Sequence, residues 1–446
     1  MRPLRRFADP GSPALVCALA VALAGCERAL PVGQAIAAIE PGTSLVLIVV
    51  DTLRPDWTTP YGFAGDTTPR LARWAQEGVV FEQVYAQSSW TKISMASLMT
   101  SLWPRSHGIT EPDDGLGEGA LTLAEVLADA GYRTYGVQSN GWLHQSFGFH
   151  QGFERYSFPF GAGAALPRSN VWPHVDRIVN EARRLLDAHP EGEPFFLYLH
   201  FMDVHEYAAP REFQTFGTDA RGAYLSAIRW VDDGLARVEE LLAERGLRER
   251  TLVAFGSDHG ETFGENGKFG HARNVLSAAL RVPLVLRLPR PILPVRVSAP
   301  VRNLDLAPTL LDLLGVPVPE RFEGESLVPR IVGTGDGGES DELPSFAALG
   351  FPLYPDASVQ LSLRDEAWTY ARNVEPDRAP GEHLYDRSID PGEDVDLAAR
   401  EPEARARMRA SLDAYLEDGP DEGVLEREVR IDPQVEQRLR AMGYLQ

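Results

Sequence analysis

The chain has 446 residues, 44% of them hydrophobic and 24% charged, a globular composition that excludes a disordered chain. Its formal charge is −21, from 43 basic and 64 acidic residues. That balance argues against nucleic acid or an anionic lipid surface as partner, since both need clustered positive charge.

Taken in chain order, the first feature is an export signal. Arginines 2, 5 and 6 precede an apolar run from Ala14 to Gly25, too short to span a bilayer and of signal-peptide length. The run ends Leu23-Ala24-Gly25-Cys26, which resembles the bacterial lipobox, where the cysteine is lipidated and becomes the new N-terminus. Residues 1–25 are therefore read as a lipoprotein signal peptide, and the chain as held to a membrane through Cys26. Glu27 favours the outer membrane, facing the periplasm. The other cysteine, Cys17, falls in the segment to be removed. This leaves no disulfide framework, no thiolate metal site and no cysteine nucleophile.

Residues 26–43, with Pro31, Gly33, Pro41 and Gly42, read as a tether. Ser44 to Asp51 is a continuous apolar, β-branched run, the mark of a strand buried on both faces. Strands and helices then alternate. A short helix over 69–78 has Pro at its start and Gly at its end, and a strand covers 79–86. A helix over 121–130, stopped by Gly131, precedes a strand over 134–138. Helices over 171–188 and 222–245 precede strands over 194–201 and 251–257. A helical stretch over 274–280 leads to a strand over 282–288, and a helix over 305–314 follows. This βαβα pattern predicts an α/β fold with a mostly parallel central sheet covered by helices. The Gly- and acid-rich stretch 333–342 marks a boundary. Beyond it, the alternation over 358–363 and the charged helical run 402–416 predict a small α+β subdomain over 343–446.

Asp51 and Asp258 end two strongly apolar strands, and ligands gather at the carboxyl ends of strands in open α/β sheets. His259 follows Asp258. This residue set suits a divalent metal, Zn²⁺ or Mn²⁺, whereas an all-oxygen set would suit Ca²⁺ better. Taken alone, an Asp after a strand is as readily a helix cap. Ser89 to Leu102 reads as a loop entering a buried helix, with Ile93, Ala96, Met99 and Leu102 along one face and Thr91 at its N-terminus. A threonine there is first of all an N-cap. Against a metal, its hydroxyl becomes a nucleophile toward sulfur or phosphorus. The chain has two lysines, Lys92 and Lys268, and each lies inside a motif named below.

Together these segments resemble the sulfatases of the alkaline-phosphatase-like superfamily. The likeness begins at Leu47-Ile-Val-Val-Asp51-Thr-Leu-Arg54-Pro-Asp56 and continues through Trp90–Thr100, Trp103-Pro-Arg-Ser-His107-Gly108 and His200-Phe-Met-Asp203-Val-His205. Trp230-Val-Asp232, Ser257-Asp258-His259-Gly260-Glu261 and Gly264-Glu-Asn-Gly-Lys-Phe-Gly-His271 follow, and Gln437–Tyr444 resembles a sulfatase tail. The resemblance implies a catalytic domain over 44–335 and one divalent metal held by Asp51, Asp258 and His259 with Thr91. It places Thr91 where sulfatases oxidise a Cys or Ser to formylglycine. It implies that His205 and His271 face the transferred anion and the leaving group. Lys92 is implied to neutralise a sulfate or phosphate oxygen, and Lys268 to lie at the pocket rim. The substrate class implied is a small-molecule, glycan or lipid ester.

The departures from the family pattern carry as much information. Threonine cannot become formylglycine. Met95 stands where the signature has Arg, Thr52 replaces the second Asp of the usual metal pair, and His259 stands where many sulfatases carry Asn. The set Asp, Thr, Asp, His resembles the phospho-transferring branch, which works through a metal-activated threonine. Three readings follow: a metal-dependent hydrolase of sulfate or phosphate esters in the cell envelope with Thr91 as nucleophile; a phosphoethanolamine- or phosphoglycerol-type transferase; and a sulfatase-like binding lipoprotein without activity.

Overall fold

The structure, a computed structural model, describes residues 29–159, 174–333, 345–349, 359–365, 367–373 and 381–417, with isolated positions between 425 and 440. The signal segment, Cys26, the boundary stretch from 334 and the tail motif at 441–444 lie outside the described residues.

The main sheet is built from β1 (Ser44–Val50), β2 (Val79–Tyr85), β3 (Arg133–Val137), β4 (Arg155–Ser157), β5 (Phe195–Phe201), β6 (Thr251–Ser257), β7 (Arg281–Arg287) and β8 (Val295–Val297). Their order is β8-β2-β7-β6-β1-β5-β3-β4, and the short strand Val301–Arg302 also pairs with β2. β1, β3, β4, β5 and β6 run parallel in one block. β7 is antiparallel to both of its neighbours, β2 and β6, so the sheet is mixed. A run of β-branched residues signals burial on both faces but carries no mark of strand direction, so this reversal is invisible in the sequence.

The helices of six residues or more among the described residues are α1 (Val32–Ala37), α2 (Pro69–Gln76), α3 (Thr91–Thr100), α4 (Leu123–Asp129), α5 (His174–Asp187), α6 (Ala220–Glu244), α7 (Leu306–Leu313) and α8 (Pro402–Glu417). All but α8 lie on the faces of this sheet, and strand alternation decides which residue meets which layer. On β1, Leu45, Leu47 and Val49 join one apolar core with Ile93, Leu98 and Leu310 of α3 and α7. Val46, Ile48 and Val50 join a second core with Trp74, Val179 and Leu235 of α2, α5 and α6. Every residue of β1 is buried, and each Val, Leu or Ile so placed contributes about 1.5–3 kcal/mol. α1 lies in the segment read as a tether: Leu30 bridges Ile292, and Val32 and Ile36 pack against the first core.

Capping explains where the helices begin. Thr122 and Glu125 form a reciprocal capping box at α4. Asp232 of α6 accepts from the Arg70 and Leu71 amides (2.8 and 2.9 Å), so a neighbouring helix caps α2. The stretch expected to be helical over 274–280 forms only a short turn, Ser277–Leu280. The C-terminal part is a four-stranded antiparallel sheet, β9 (Ser345–Leu349), β10 (Gln360–Arg364), β11 (Trp368–Asn373) and β12 (Glu382–Asp386), with α8 beside it. Leu363, Tyr370, Leu384, Met408 and Leu412 give it a small core of its own. No helix among the described residues is long and apolar enough to cross a membrane.

Candidate active site and metal centre

The carboxyl ends of four adjacent parallel strands supply the site. Val50 of β1 is in register with Ser257 of β6 and Phe201 of β5. The next residues, Asp51 and Asp258, therefore leave the sheet side by side, about one strand spacing (~4.8 Å) apart. β5 brings His200, Asp203 and His205 to the same edge, and the loop after β3 brings Asn140.

Ligand atoms of Asp51, Asp258 and His259 lie within 4.8 Å of one another, and all three residues are buried. His259 Nε2 is 3.7 Å from Asp51 Oδ1 and 3.3 Å from Asp258 Oδ2. Those two carboxylate oxygens have no hydrogen-bond partner despite being fully buried. Buried anionic oxygens without partners are costly, and a cation resolves that cost. The other donor atoms are already fixed. Asp258 Oδ1 accepts from the Thr52 and His259 amides (3.2 and 2.9 Å). His259 Nδ1 lies 3.0 Å from the Gly260 carbonyl, and a proton there leaves Nε2 as a bare lone pair. Gly260 is needed at this turn, because a Cβ on it would lie 2.3 Å from the Ala278 carbonyl oxygen. These residues fit a divalent ion with mixed nitrogen and oxygen ligands.

Thr91 is the first residue of α3, and Trp90 occupies the cap position. The threonine side chain therefore does not cap the helix. Its Oγ1 lies 3.2 Å from His259 Nε2 and donates to Asp51 Oδ2 at 3.4 Å. α3 is buried all round, so its expected single apolar face dissolves into a fully enclosed helix. Ser94, one turn on from Thr91, donates to the Asp258 carbonyl at 2.5 Å and ties the helix to the end of β6.

Lys92 goes elsewhere. Successive helix residues diverge by about 100°, and its ammonium donates to the Pro112 carbonyl at 2.6 Å, 3.6 Å from the Phe147 ring centre. Burial pushes it well below the usual lysine range. The structure thus does not bring Lys92 to the Asp51–Asp258–His259 cluster. Thr52 also turns away. Its Oγ1 donates to the Asp51 carbonyl at 2.7 Å, and its backbone takes the left-handed conformation (φ 60°), which costs a β-branched residue about 1–3 kcal/mol.

Three further histidines surround the cluster. The His271 ring stacks on His259, with centres 4.9 Å apart, and lies 4.8 Å from His205. His271 Nδ1 is 3.4 Å from Glu261 Oε2, and His205 Nδ1 is 3.2 Å from Glu206 Oε1. Burial alone would lower His205, but the Glu206 hydrogen bond and the charges of Asp51, Glu206 and Glu261 outweigh it and hold it up to about 9. His200 Nε2 lies 3.8 Å from Asp51 Oδ2, and burial pushes it down to about 4, so it stays neutral. Burial and the Asp258 charge push Asp51 up to about 6.

One partner had no signal in the sequence. Asn140 Nδ2 donates to Asp51 Oδ2 at 2.7 Å and lies 3.3 Å from Thr91 Oγ1, while its Oδ1 accepts from the Trp142 amide at 2.9 Å. Lys268 ends the short turn Glu265–Gly267, three residues before His271.

Comparison with known proteins identifies the family. Residues 43–316 match the family model described as Sulfatase, and residues 264–418 match N-sulphoglucosamine sulphohydrolase, C-terminal. Human arylsulfatase A is 27% identical over 466 aligned positions, covering 84% of this chain and 89% of that protein. A protein solved in complex with its substrate D-glucosamine-2-N,6-O-disulfate superposes with a TM-score of 0.70 at 18% identity, over 86% of this chain and 100% of that one. The phosphonate monoester hydrolase of Agrobacterium radiobacter gives 0.68 at 21% identity, over 85% and 95%. With a family model spanning more than half its length, the chain belongs to the sulfatase family and is a hydrolase of sulfuric or phosphoric esters.

Proposed function

We propose that this protein is a metal-dependent ester hydrolase of the cell envelope in which Thr91 itself is the nucleophile, and that it prefers phosphate esters to sulfate esters. The observation that carries the reading is the position of Thr91 Oγ1, 3.2 Å from His259 Nε2 and beside the two unpartnered oxygens of Asp51 and Asp258. A divalent ion held by Asp51, Asp258 and His259, Zn²⁺ or Mn²⁺ before Ca²⁺, would supply Lewis acidity there and would lower the pKa of the neighbouring hydroxyl. Thr91 then attacks the phosphorus or sulfur, its proton passing to Asp51 Oδ2, to which the hydroxyl donates at 3.4 Å, and the ester oxygen leaves. His205, protonated below pH about 9, places positive charge beside the anion, and with His271 it is the proton source for the leaving oxygen. Water next displaces Thr91 from the transferred group and restores the hydroxyl.

A threonine in place of the oxidisable residue supports phosphorus chemistry, because the aldehyde-hydrate route is closed to it. The likeness to a phosphonate monoester hydrolase supports phosphorus substrates on this fold. Thr91 equally supports a transferase variant, in which an alcohol replaces water in the second step. The lipobox-like Leu23–Cys26 supports anchoring at the outer membrane, within reach of glycan or lipid esters.

The test compares wild type with Thr91→Ala on bis-p-nitrophenyl phosphate and p-nitrophenyl sulfate, with metal content measured and a glycerol or ethanolamine acceptor added in parallel. Wild type should carry about one metal ion, turn over the phosphate diester faster, and lose both activities on substitution. Equal rates in the two proteins would remove Thr91 from the mechanism. A sulfate preference would overturn the phosphorus assignment. Acceptor-dependent product would identify the transferase.

A further inference from the structure

The loop that delivers His271 is held from two directions. His271's side chain has little to orient it: one hydrogen bond to Glu261 at 3.4 Å and the two ring contacts. Its position is therefore set by the backbone of residues 264–277. That backbone includes two non-glycine residues in the left-handed region, Asn266 (φ 50°) and Ala272 (φ 53°), conformations that persist only where the surroundings enforce them. On the nucleophile side, Ala272 N donates to the Ser89 carbonyl at 2.9 Å and Ser89 Oγ donates to the Asn274 carbonyl at 2.6 Å. Ser89 stands two residues before Thr91.

Arg54, just past β1, pairs with Glu265 at the start of the loop, and further anchors come from the C-terminal subdomain. Glu393 follows β12 in a turn closed by its own amide on the Asp390 carbonyl (3.0 Å), and it takes φ 58°. It is fully buried. Its carboxylate accepts from both the amide and the hydroxyl of Ser277, each at 2.6 Å, and its carbonyl accepts from Asn266 Nδ2 at 3.1 Å. Arg364 of β10, also buried, donates to the Val275 carbonyl at 2.6 Å and lies 3.8 Å from the Glu393 carboxylate. Two buried, oppositely charged side chains of the subdomain thus grip the loop at 275 and 277, after His271, while the Glu393 main-chain carbonyl holds it at 266, before His271. Hydrogen bonds to a charged group contribute about 1.5–3 kcal/mol each, roughly twice a neutral pair, so this grip is strong at the end of the loop after His271, as the Arg54–Glu265 ion pair is at the other end.

We propose that Glu393 is a positioning residue for the reaction: with Arg364 it clamps the 264–277 loop and fixes the imidazole of His271 against His259 and His205. The C-terminal subdomain then completes the active site rather than merely following it. The inference rests on the role given to His271 above, and not on the identity of the nucleophile.

A double-mutant cycle tests it, using the full chain loaded with metal. Glu393→Ala should lower kcat on bis-p-nitrophenyl phosphate about 10- to 100-fold with KM nearly unchanged, since misplacing a catalytic group by about 1 Å has that effect. Glu393→Gln, which keeps an acceptor for Ser277, should recover most of the loss. In a His271→Ala background, Glu393→Ala should have no further effect on kcat, because the group it positions is gone. Equal losses in both backgrounds, no loss in either, or a His271→Ala enzyme with wild-type kcat would each overturn the proposal. Should Glu393→Ala fail to fold, Ser277→Ala removes one of the two contacts and runs the same cycle with the same outcomes. The nucleophile is judged separately: a fully active Thr91→Ala sinks that assignment while leaving the cycle readable.

Discussion

Replacing Asn140 by alanine tests a residue that touches both Asp51 of the proposed metal centre and Thr91, the proposed nucleophile. Its amide donates to Asp51 Oδ2 at 2.7 Å, in a fully buried setting. A hydrogen bond to an ionised group is worth about 1.5–3 kcal/mol. At about 1.4 kcal/mol per factor of ten, its loss weakens whatever depends on an ionised Asp51 by roughly 10- to 150-fold. That matches the roughly 10- to 100-fold usually lost when a partner of a metal ligand is removed. The same substitution also removes a cap, since Asn140 Oδ1 accepts from the Trp142 amide at 2.9 Å, which costs about 1 kcal/mol of stability. Asn140→Ser separates the two effects, because it retains a capping oxygen but not the amide donor. Metal affinity by competitive titration and kcat on bis-p-nitrophenyl phosphate should fall together in both variants, whereas the melting temperature should fall mainly in Asn140→Ala. Metal affinity and kcat within twofold of wild type in both variants would refute the idea that Asn140 holds Asp51 in its ligating state.

Two other outcomes follow from the geometry. Lys92→Met keeps the volume and apolar stem of a side chain directed at Phe147 and Pro112, so kcat should stay within about threefold and stability within about 2 kcal/mol, whereas Lys92→Ala should lose about 2–5 kcal/mol in chemical denaturation; a catalytic collapse in Lys92→Met would return the lysine to the site. Metal binding should weaken as pH falls through about 6, where Asp51 takes up its proton. Because folding raises that carboxyl from its ordinary value of 3.8, its contribution to the stability of the metal-free protein is greatest at low pH and is lost as pH rises from about 4 to 6. Calorimetry should therefore show a metal-induced gain in melting temperature that grows between pH 5 and 7. A gain independent of pH would contradict the placement of Asp51 among the ligands.

The sequence by itself determined the layers and the chemistry carried by strand ends. Buried strands need unbroken β-branched runs, so β1 and β6 announce themselves, and Asp51 and Asp258 are conspicuous because charged residues interrupt those runs at the point where ligands gather. The family resemblance and the odd threonine at residue 91 were equally legible. Only the tertiary structure decided what these residues meet. Strand order and register put Asp51 beside Asp258 across about 200 residues of chain, and no local pattern encodes that adjacency. Thr91 and Lys92 are neighbours in sequence, yet the 100° step of a helix sends the first to Asp51 and His259 and the second into an aromatic pocket, and α3, buried all round, offers no polar face from which to tell them apart. Asn140 was silent because an asparagine after a strand is ordinary turn chemistry. Glu393 was silent because a charged residue near Pro and Gly reads as solvated loop, until folding buries its carboxylate on Ser277 and joins the C-terminal subdomain to the loop carrying His271.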